Sequence, residues 1–275
     1  MSEIPLILGG HTYIQQLGND PCPSPAQIDE IVSKCLDAGI CWFDTTYRPE
    51  RIALGESLQR LGRRAEAHIL VWNFFKLFEP GEEVGGPNAY QNHHLQEILE
   101  DLRCDYIDAL VVHAVNQPDE NERQTRLAVA WQNQGWVGQL GLWSPGVQAA
   151  QQSRLTGSPY QFVVEPHNIT TTESPDKLET YAQAGWVIYA CSPFVRGWEL
   201  DRLVERAAQL DGPPLTKTRS QVSDLLIRYS LFSPHVNRLI IAMRRPEWVE
   251  AAVAAVRRGP LTMEEQVWLN SLSAA

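Results

Sequence analysis

Short apolar runs recur along the chain, and each is followed by a segment with helical periodicity. The runs are apolar throughout rather than alternating, which is typical of parallel strands that are covered on both faces. Strands are predicted at residues 4–10, 40–44, 68–73, 106–113, 136–142, 160–166, 186–192 and 238–242. Helices are predicted between them, among others at residues 24–39, 51–61, 89–102, 119–134, 147–155 and 174–184.

The first helical segment carries clear boundary signals. Ser24 precedes Pro25 at the first helical position, and Gln27 completes a capping box with Ser24. Gly39 stands where the apolar periodicity stops, as expected of a residue that ends a helix in a left-handed conformation. A second capping box, formed by Thr262 and Glu265, predicts the start of a helix near the end of the sequence.

Eight strand–helix units in one unbroken chain favour an α/β fold, a closed (β/α)8 TIM barrel. The barrel is expected to span residues 1–275 as a single domain, with a helical tail at about 246–275. A doubly wound open sheet is the alternative architecture. In a barrel, the side chains at the carboxyl ends of the strands converge on one mouth, where the chemistry is expected.

Composition narrows the classes of function. The formal net charge of −10 argues against a protein that binds nucleic acid through its phosphate backbone. The five cysteines include no CxxC pair, which indicates free thiols in a reducing compartment. The first residues lack a basic segment followed by an apolar one, and no apolar run is long enough to span a membrane. We therefore expect a cytoplasmic protein with no membrane span.

Three side chains near predicted strand ends form a candidate proton-transfer group: Asp44, Tyr47 and His113. A phenol can protonate a developing alkoxide when a nearby charge or hydrogen bond lowers its pKa. Other interpretations remain open: Asp44 as a turn cap, Tyr47 as a surface residue and His113 as a structural histidine. Among the nine tryptophans, only Trp143, which directly follows a predicted strand, is expected to contact a ligand. His93 and His94 are expected to point apart on a helix, which predicts no shared metal site.

Several ordered motifs resemble those of the aldo-keto reductases, from about residue 4 to 261. The motifs are Gly39 to Thr45 followed by Leu54–Gly55–Glu56, then Asp105–Tyr106–Ile107–Asp108 followed by His113, Gly135–Trp136–Val137 with Leu140–Gly141, Ser192 to Gly197, and Pro246–Glu247. The resemblance implies the family's barrel, here lacking the N-terminal hairpin because the first strand begins at residue 4. It also implies NAD(P)H-dependent reduction of a carbonyl compound.

The family's catalytic set is Asp, Tyr, Lys and His. The resemblance implies these roles for Asp44, Tyr47 and His113, although the segment between Asp44 and Tyr47 is two residues shorter than usual. Asn73 stands in the place of the Lys and brings no positive charge. Lys76, three residues further on, is an alternative cation. The expected consequence is weak or altered activity, since a lost general acid costs about 10²–10⁴-fold in rate.

The resemblance implies a cofactor site for NADP, or NAD, formed by residues from the later strands. Its expected members are Ser144, Glu165, Cys191, Ser192, Pro193, Phe194, Arg196, Arg244 and Arg245. Ser144 and Glu165 would hold the nicotinamide amide, and Pro145 departs from the family's Asn. Arg244 or Arg245 would meet a 2′-phosphate.

Three functions therefore remain open at this point. The first is an NAD(P)H-dependent oxidoreductase with a small carbonyl substrate. The second is a catalytically degenerate barrel that binds a ligand or a protein partner. The third is a lyase or isomerase that uses Asp44, Glu165 and His113 without a nicotinamide cofactor, since one fold supports many chemistries.

Overall fold

A computed structural model describes residues 3–15, 20–144, 158–171, 173–195, 197–210 and 218–274. Eight parallel strands close into a barrel in the order of the sequence, and β8 pairs with β1 through Ile7 and Ile240. The strands are β1 Leu6–Leu8, β2 Trp42–Thr45, β3 His68–Val71, β4 Ile107–Val112, β5 Val137–Trp143, β6 Phe162–Pro166, β7 Val187–Cys191 and β8 Arg238–Ile241. The predicted closed barrel is confirmed, and the open sheet is excluded.

Helices surround this barrel. In the described ranges they are α1 Pro25–Ala38, α2 Arg48–Leu61, α3 His94–Leu102, α4 Pro118–Asn133, α5 Ser174–Gln183, α6 Gly197–Gln209, α7 Arg219–Leu231, α8 Pro246–Arg258 and α9 Met263–Ala274. The start of α1 is the predicted capping box, in which Ser24 and Gln27 each bond the other's backbone amide. Gly39 ends α1 at a φ of 91°, a conformation that favours glycine. The helix predicted at residues 147–155 lies outside the described residues.

The helix predicted at residues 89–102 begins later, at His94. Tyr90 is fully buried, and its hydroxyl donates to the Val111 carbonyl of β4 at 2.9 Å. The backbone amide of Gln91 donates to Nδ1 of His94 at 3.0 Å. These contacts fix the segment before His94 against the barrel, so tertiary packing overrides the helical pattern there.

Side-chain direction alternates along each strand and separates two apolar layers. Ile7, Leu70 and Val164 pack with one another inside the barrel. Their neighbours Leu8 and Val71 pack outward, against the helices. This alternation decides which residues at a strand end reach the mouth of the barrel.

The amino-terminal end of the barrel is filled by side chains of the strands themselves. The indole of Trp42 stacks on His68, with ring centroids 5.0 Å apart, and the Arg238 guanidinium lies 5.2 Å from the indole centroid. Glu3 pairs with Arg238 at 2.9 Å. No strand precedes β1 among residues 3–15, and this cluster lies at the amino-terminal end of the strands.

The five cysteines are free thiols. Among the helices in the described ranges, none is both long enough and apolar enough to cross a membrane.

Candidate active site

A cavity of about 1010 Å³ opens at the carboxyl ends of the strands and extends to the first turns of α7 and α8. Its polar, charged and aromatic lining residues include His11, Asp20, Asp44, Tyr47, Trp72, Phe74, His113, Trp143, Asn168, Cys191, Ser192, Phe194, Arg219, Asp224, Arg244, Glu247, Trp248 and Arg258. Asp44, Tyr47 and His113 therefore share one cavity, as expected from their strand ends.

Asp44 is buried at the end of β2, with 4% of its surface exposed. Its carboxylate accepts hydrogen bonds from the Trp72 indole at 2.6 Å, from the Gly10 amide at 3.3 Å and from the Thr46 hydroxyl at 3.3 Å. Burial and the nearby Glu50 carboxylate raise the pKa of Asp44 to about 6, while the Trp72 and Gly10 hydrogen bonds act in the opposite direction. The carboxylate is thus held by neutral donors.

Trp72, not Asn73, faces the cavity after β3. The alternation that points Leu70 inward also points Trp72 inward and turns Asn73 away. The Asn73 amide donates to the carbonyls of Asn88 and His113, both at 2.9 Å, and its oxygen accepts the His113 amide. Asn73 therefore joins the loops after β3 and β4. The resemblance assigned the lysine position to Asn73, but the side chain that contacts Asp44 is that of Trp72, one residue earlier.

Lys76 does not supply the missing cation at this point of the mouth. Its ammonium group donates to the Glu83 carbonyl at 2.6 Å, within the loop that follows β3. Lys76 is also absent from the lining of the cavity in the described ranges. The partner of Asp44 is consequently an indole that donates a hydrogen bond and carries no charge.

Tyr47 precedes the first turn of α2 and lies in an aromatic wall. Its ring packs edge-on against Phe74 at 5.0 Å and Phe78 at 5.7 Å between centroids. The imidazole of His11 stacks on the other side, 5.7 Å away with an interplanar angle of 28°. Only 9% of the Tyr47 surface is exposed, so the phenol stands in a largely apolar, water-poor environment.

His11 and Glu50 are site residues to which the sequence analysis gave no role. Nδ1 of His11 lies 2.9 Å from the Glu50 carboxylate, which is fully buried. Glu50 also accepts the backbone amides of Thr46 at 2.7 Å and Tyr47 at 3.0 Å. A Cβ on Gly10 would lie 2.0 Å from a Glu50 oxygen, so glycine is required there. The useful sequence signal is an acid three residues after Tyr47, where a helix begins.

His113 lines the cavity from the end of β4 and packs edge-on against Phe74 at 5.5 Å. Its Nδ1 lies 2.9 Å from the Ala114 carbonyl, which can only accept, so Nδ1 carries the proton. Burial lowers the pKa of His113, although the bond to Ala114 acts against this change. The neutral ring therefore offers Nε2 as a hydrogen-bond acceptor.

The cavity wall at β5 and β6 differs from the expected cofactor site. Trp143 and Val164 point inward, so alternation turns Ser144 and Glu165 outward. The Ser144 hydroxyl bonds the Tyr181 hydroxyl of α5 at 2.9 Å. Neither Ser144 nor Glu165 lines the cavity in the described ranges, which corrects the interpretation that they hold an amide there.

Cys191, Ser192, Pro193 and Phe194, at the end of β7 and in the loop after it, line the cavity; their role in cofactor binding stays a prediction. Ser192 has a φ of 59° and Val195 a φ of 63°, in the left-handed region that non-glycine residues seldom adopt. The Asn168 amide donates to the Ser192 carbonyl at 3.1 Å and supports this conformation. Arg196 lies outside the described residues.

Arg244 lines the cavity, but its guanidinium is engaged by backbone. It donates to the carbonyls of His11 at 3.0 Å, Ile14 at 2.8 Å and Asp20. Arg245 pairs with the Asp20 carboxylate at 3.0 Å and lies over the Trp248 ring. Arg244 therefore clamps the loop after β1, and Arg245 is the more accessible of the two arginines.

His93, His94 and Glu97 offer ligand atoms that lie within 4.8 Å of one another. The expectation that the two imidazoles point apart is wrong, because their ring centroids are 4.2 Å apart. Their surroundings nevertheless disfavour a cation. Arg48 lies 3.1 Å from Glu97, and Nδ1 of His94 already accepts the Gln91 amide. The cluster is accordingly interpreted as part of the packing around α3.

The cavity reaches the N-terminal turns of two helices. Arg219 and Ser220, in the first turn of α7, and Glu247, in the first turn of α8, line it. Backbone amides at helix N-termini favour phosphate oxygens. The loop after β7 and these helix N-termini are the parts of the cavity that could hold phosphate groups.

Comparisons with known proteins agree with this geometry. A family model described as "Aldo/keto reductase family" matches residues 5–214. No curated protein matches the chain in sequence. Among solved structures, the holo form of aldo-keto reductase AKR11C1 from Bacillus halodurans is similar, with a TM-score of 0.71, 20% identity, and coverage of 98% of this chain and 91% of that one. PA4992 from Pseudomonas aeruginosa, a protein assigned to the aldo-keto reductases, has a TM-score of 0.68 and 18% identity, with coverage of 93% and 92%.

Proposed function

We propose that this chain, which belongs to the aldo/keto reductase family, is an oxidoreductase that reduces a small carbonyl compound with NAD(P)H. The observation that carries the proposal is the convergence of Asp44, Tyr47 and His113 on one large cavity at the carboxyl ends of the barrel strands. NAD(P)H supplies the reducing equivalent in this reaction. The chain's own residues bind the two reactants, exclude water and provide the proton.

Tyr47 is the proposed proton donor. As the carbonyl oxygen gains negative charge, the Tyr47 hydroxyl transfers its proton to that oxygen and an alcohol results. The rings of Phe74 and Phe78 exclude water around the phenol, which strengthens electrostatic interactions there. With its proton on Nδ1, the neutral ring of His113 accepts a hydrogen bond from the product alcohol through Nε2, so it holds the reacting oxygen once the alcohol has formed.

The cofactor is proposed to lie between the loop after β7 and the first turns of α7 and α8. Ser192 to Phe194 and the Arg219–Ser220 turn would hold the phosphates, and Trp248 would contact the adenine end. Arg245 remains the candidate for a 2′-phosphate, because Arg244 is committed to backbone carbonyls. NADP and NAD are both compatible with this assignment. A cytoplasmic location is expected for a protein that uses this cofactor and has free thiols.

One observation favours a second candidate, a degenerate barrel that binds a ligand or a protein partner without turnover. Beside Asp44, at the place where the resemblance implies a lysine, stands the neutral indole of Trp72, which brings no positive charge toward Tyr47. The third hypothesis loses its support, because Glu165 faces away from Asp44 and His113.

Titration with NADPH, followed through the fluorescence of Trp72, Trp143 and Trp248, tests the proposed site. Saturable quenching together with NADPH consumption in the presence of an aldehyde panel would support the oxidoreductase. Saturable binding with no consumption would favour the degenerate barrel. Absence of binding by both NADPH and NADH would reject the cofactor site altogether.

A further inference from the structure

An ionisable group that the proposed reaction does not yet use lies beside the proposed proton donor at the mouth of the barrel: the imidazole of His11. It follows β1 in a short 3-10 turn and stacks on the Tyr47 ring at 5.7 Å. Imidazole can carry a positive charge, and in the described ranges this is the side chain of that kind seen against the Tyr47 ring. Lys76 donates to the Glu83 carbonyl instead, and Arg244 donates to the His11 carbonyl. About one third of its side chain is exposed, on the cavity side.

The contact with the Glu50 carboxylate determines that Nδ1 of His11 carries a proton. A carboxylate accepts hydrogen bonds, so Nδ1 of His11 is the donor in the 2.9 Å contact. Glu50 is itself held by the amides of Thr46 and Tyr47 at the start of α2, so its position is set by the backbone that also carries the phenol. The Glu50 carboxylate thus contacts the imidazole, and the imidazole in turn stacks on the Tyr47 ring.

The charges around His11 favour its protonated form. Burial opposes the charged ring, but the Coulombic attraction and hydrogen bond of Glu50, with Asp44 behind them, outweigh it and raise the pKa of His11. Arg244, from the loop after β8, acts in the opposite direction. These are the charged groups that face His11 from α2, β2 and the β8 loop.

We propose that His11, held by Glu50, is a positioning residue that supplies Tyr47 with the positive charge provided by lysine elsewhere in the family. The inference rests on the proposed function. The proton leaves the Tyr47 hydroxyl for the alkoxide oxygen, which becomes an alcohol, and the phenol becomes a phenolate. The neighbouring imidazolium offsets the new negative charge and keeps its own proton.

This arrangement explains how an indole can stand beside Asp44. In the family's catalytic set, a lysine and the acid together lower the pKa of the phenol. Here the two tasks are divided: Trp72 satisfies Asp44 with a neutral hydrogen bond, and the His11–Glu50 pair faces Tyr47. Opposite charges within about 4–6 Å shift a pKa by roughly 1–3 units, which is sufficient to ease proton release from the phenol.

The test compares kcat/KM and its pH profile for the wild type, His11→Gln, Glu50→Gln, Tyr47→Phe and the double variant His11→Gln/Tyr47→Phe. His11→Gln is expected to lower kcat by about 10–100-fold, with KM and NADPH affinity changed by less than about twofold. The wild-type profile should fall on the alkaline side as His11 loses its proton. Glu50→Gln should move that limb to lower pH by about one unit, because the imidazolium loses its counter-charge.

The double variant separates action through Tyr47 from a structural role. If His11 acts through the phenol, the double variant is no slower than Tyr47→Phe alone. Fully additive losses, or an unchanged alkaline limb in Glu50→Gln, would overturn the inference. Thermal melting and NADPH titration of each variant show that the fold and the cofactor site are intact.

His68→Gln is a matched control, because His68 has the same contact with a carboxylate. Its Nδ1 lies 2.9 Å from Asp108, but at the opposite end of the barrel. This variant should leave kcat/KM and the pH profile unchanged. A wild type that binds NADPH but reduces no aldehyde would reject the proposed function, and this inference with it. Turnover that survives His11→Gln at full rate would reject the inference alone.

Discussion

The two sides of the barrel mouth differ in the kind of residue that they turn toward the cavity. The side formed by β1 to β4 presents an acid, a phenol and two imidazoles, the last from His11 and His113. The ends of β5 and β6 present Trp143, Val164 and Pro166, and the loop after β6 adds Asn168. Polar residues exist at the ends of β5 and β6 as well, but Ser144 and Glu165 point toward α5 instead.

The two sides of the mouth therefore have different roles in the proposed function. In the proposed reaction, the β1–β4 side provides the proton, its electrostatic support and the imidazole that accepts a hydrogen bond from the product alcohol. The β5–β6 side provides an apolar wall that limits how a flat ligand can lie, and the T-shaped contact of Trp143 with Trp72 joins the two sides. The comparison therefore predicts large functional effects from substitutions on the first side and small ones on the second.

The largest effect is expected from Tyr47→Phe, which removes only the hydroxyl. Loss of the proton donor should reduce kcat/KM for aldehyde reduction by about 10²–10⁴-fold, while NADPH binding stays close to that of the wild type. Tyr181→Phe is the matched control from the other side, since it deletes a buried hydroxyl that bonds Ser144. Steady-state kinetics with both variants would contradict the comparison if they lost activity equally.

The sequence predicted which residues stand at the strand ends, but not which of them face the cavity. The barrel, its strand order and the place of Asp44, Tyr47 and His113 followed from apolar runs and their polar ends. The directions of Asn73 and Glu165 did not, because a shift of one residue in register reverses the face of every side chain. Motif resemblance places residues near a strand end, while the pleat of the strand decides whether they face the cavity.

The proposed role of His11 could not be predicted from the sequence. It depends on a contact with Glu50 across 39 positions and on the absence of a side chain at Gly10. Such long-range packing becomes visible only once β1 and β2 are aligned in the barrel.

The next effect is on stability. It tests how much the loop after β1, which carries His11, depends on its hydrogen bonds to Arg244. Arg244→Met leaves the carbonyls of His11 and Ile14 without their buried donor. Removing one partner of a buried, charged set of hydrogen bonds should lower the free energy of unfolding by about 3 kcal/mol. Arg245→Met is the control: this half-exposed arginine pairs with Asp20, and its loss should cost less than about 1 kcal/mol. Urea denaturation of the two variants measures the difference.

Asp44 gives the reactive side a pH-dependent stability. Its pKa is about 6 in the folded protein, above its ordinary value, so between about pH 4 and pH 6 the folded state holds a proton that the unfolded chain has released. The stability therefore falls as the pH rises through this window. Asp44→Asn should remove this dependence and gain about 2–3 kcal/mol relative to the wild type between pH 4 and pH 7.

Denaturation midpoints of the Asp44→Asn variant and the wild type at several pH values measure this gain. An equal slope in both proteins would mean that Asp44 does not carry the extra proton. Asp108→Asn serves as the control, because Asp108 contacts His68 at the far end of the barrel, outside the cavity.

The smallest effect is expected on the β5–β6 side, from Glu165→Gln. Only 3% of the Glu165 surface is exposed, and burial raises the pKa of its carboxyl. The carboxyl faces Ser144 and Lys177 rather than the cavity. Substitution by a neutral side chain of the same shape should change NADPH affinity by less than about twofold and raise the stability slightly at neutral pH, because no charge is buried. A residue that held the nicotinamide amide would instead lose a hydrogen bond worth about 1 kcal/mol, or roughly fivefold in affinity. Fluorescence titration of the variant with NADPH distinguishes these outcomes, and a fivefold loss would return Glu165 to the cofactor site and remove the contrast between the two sides.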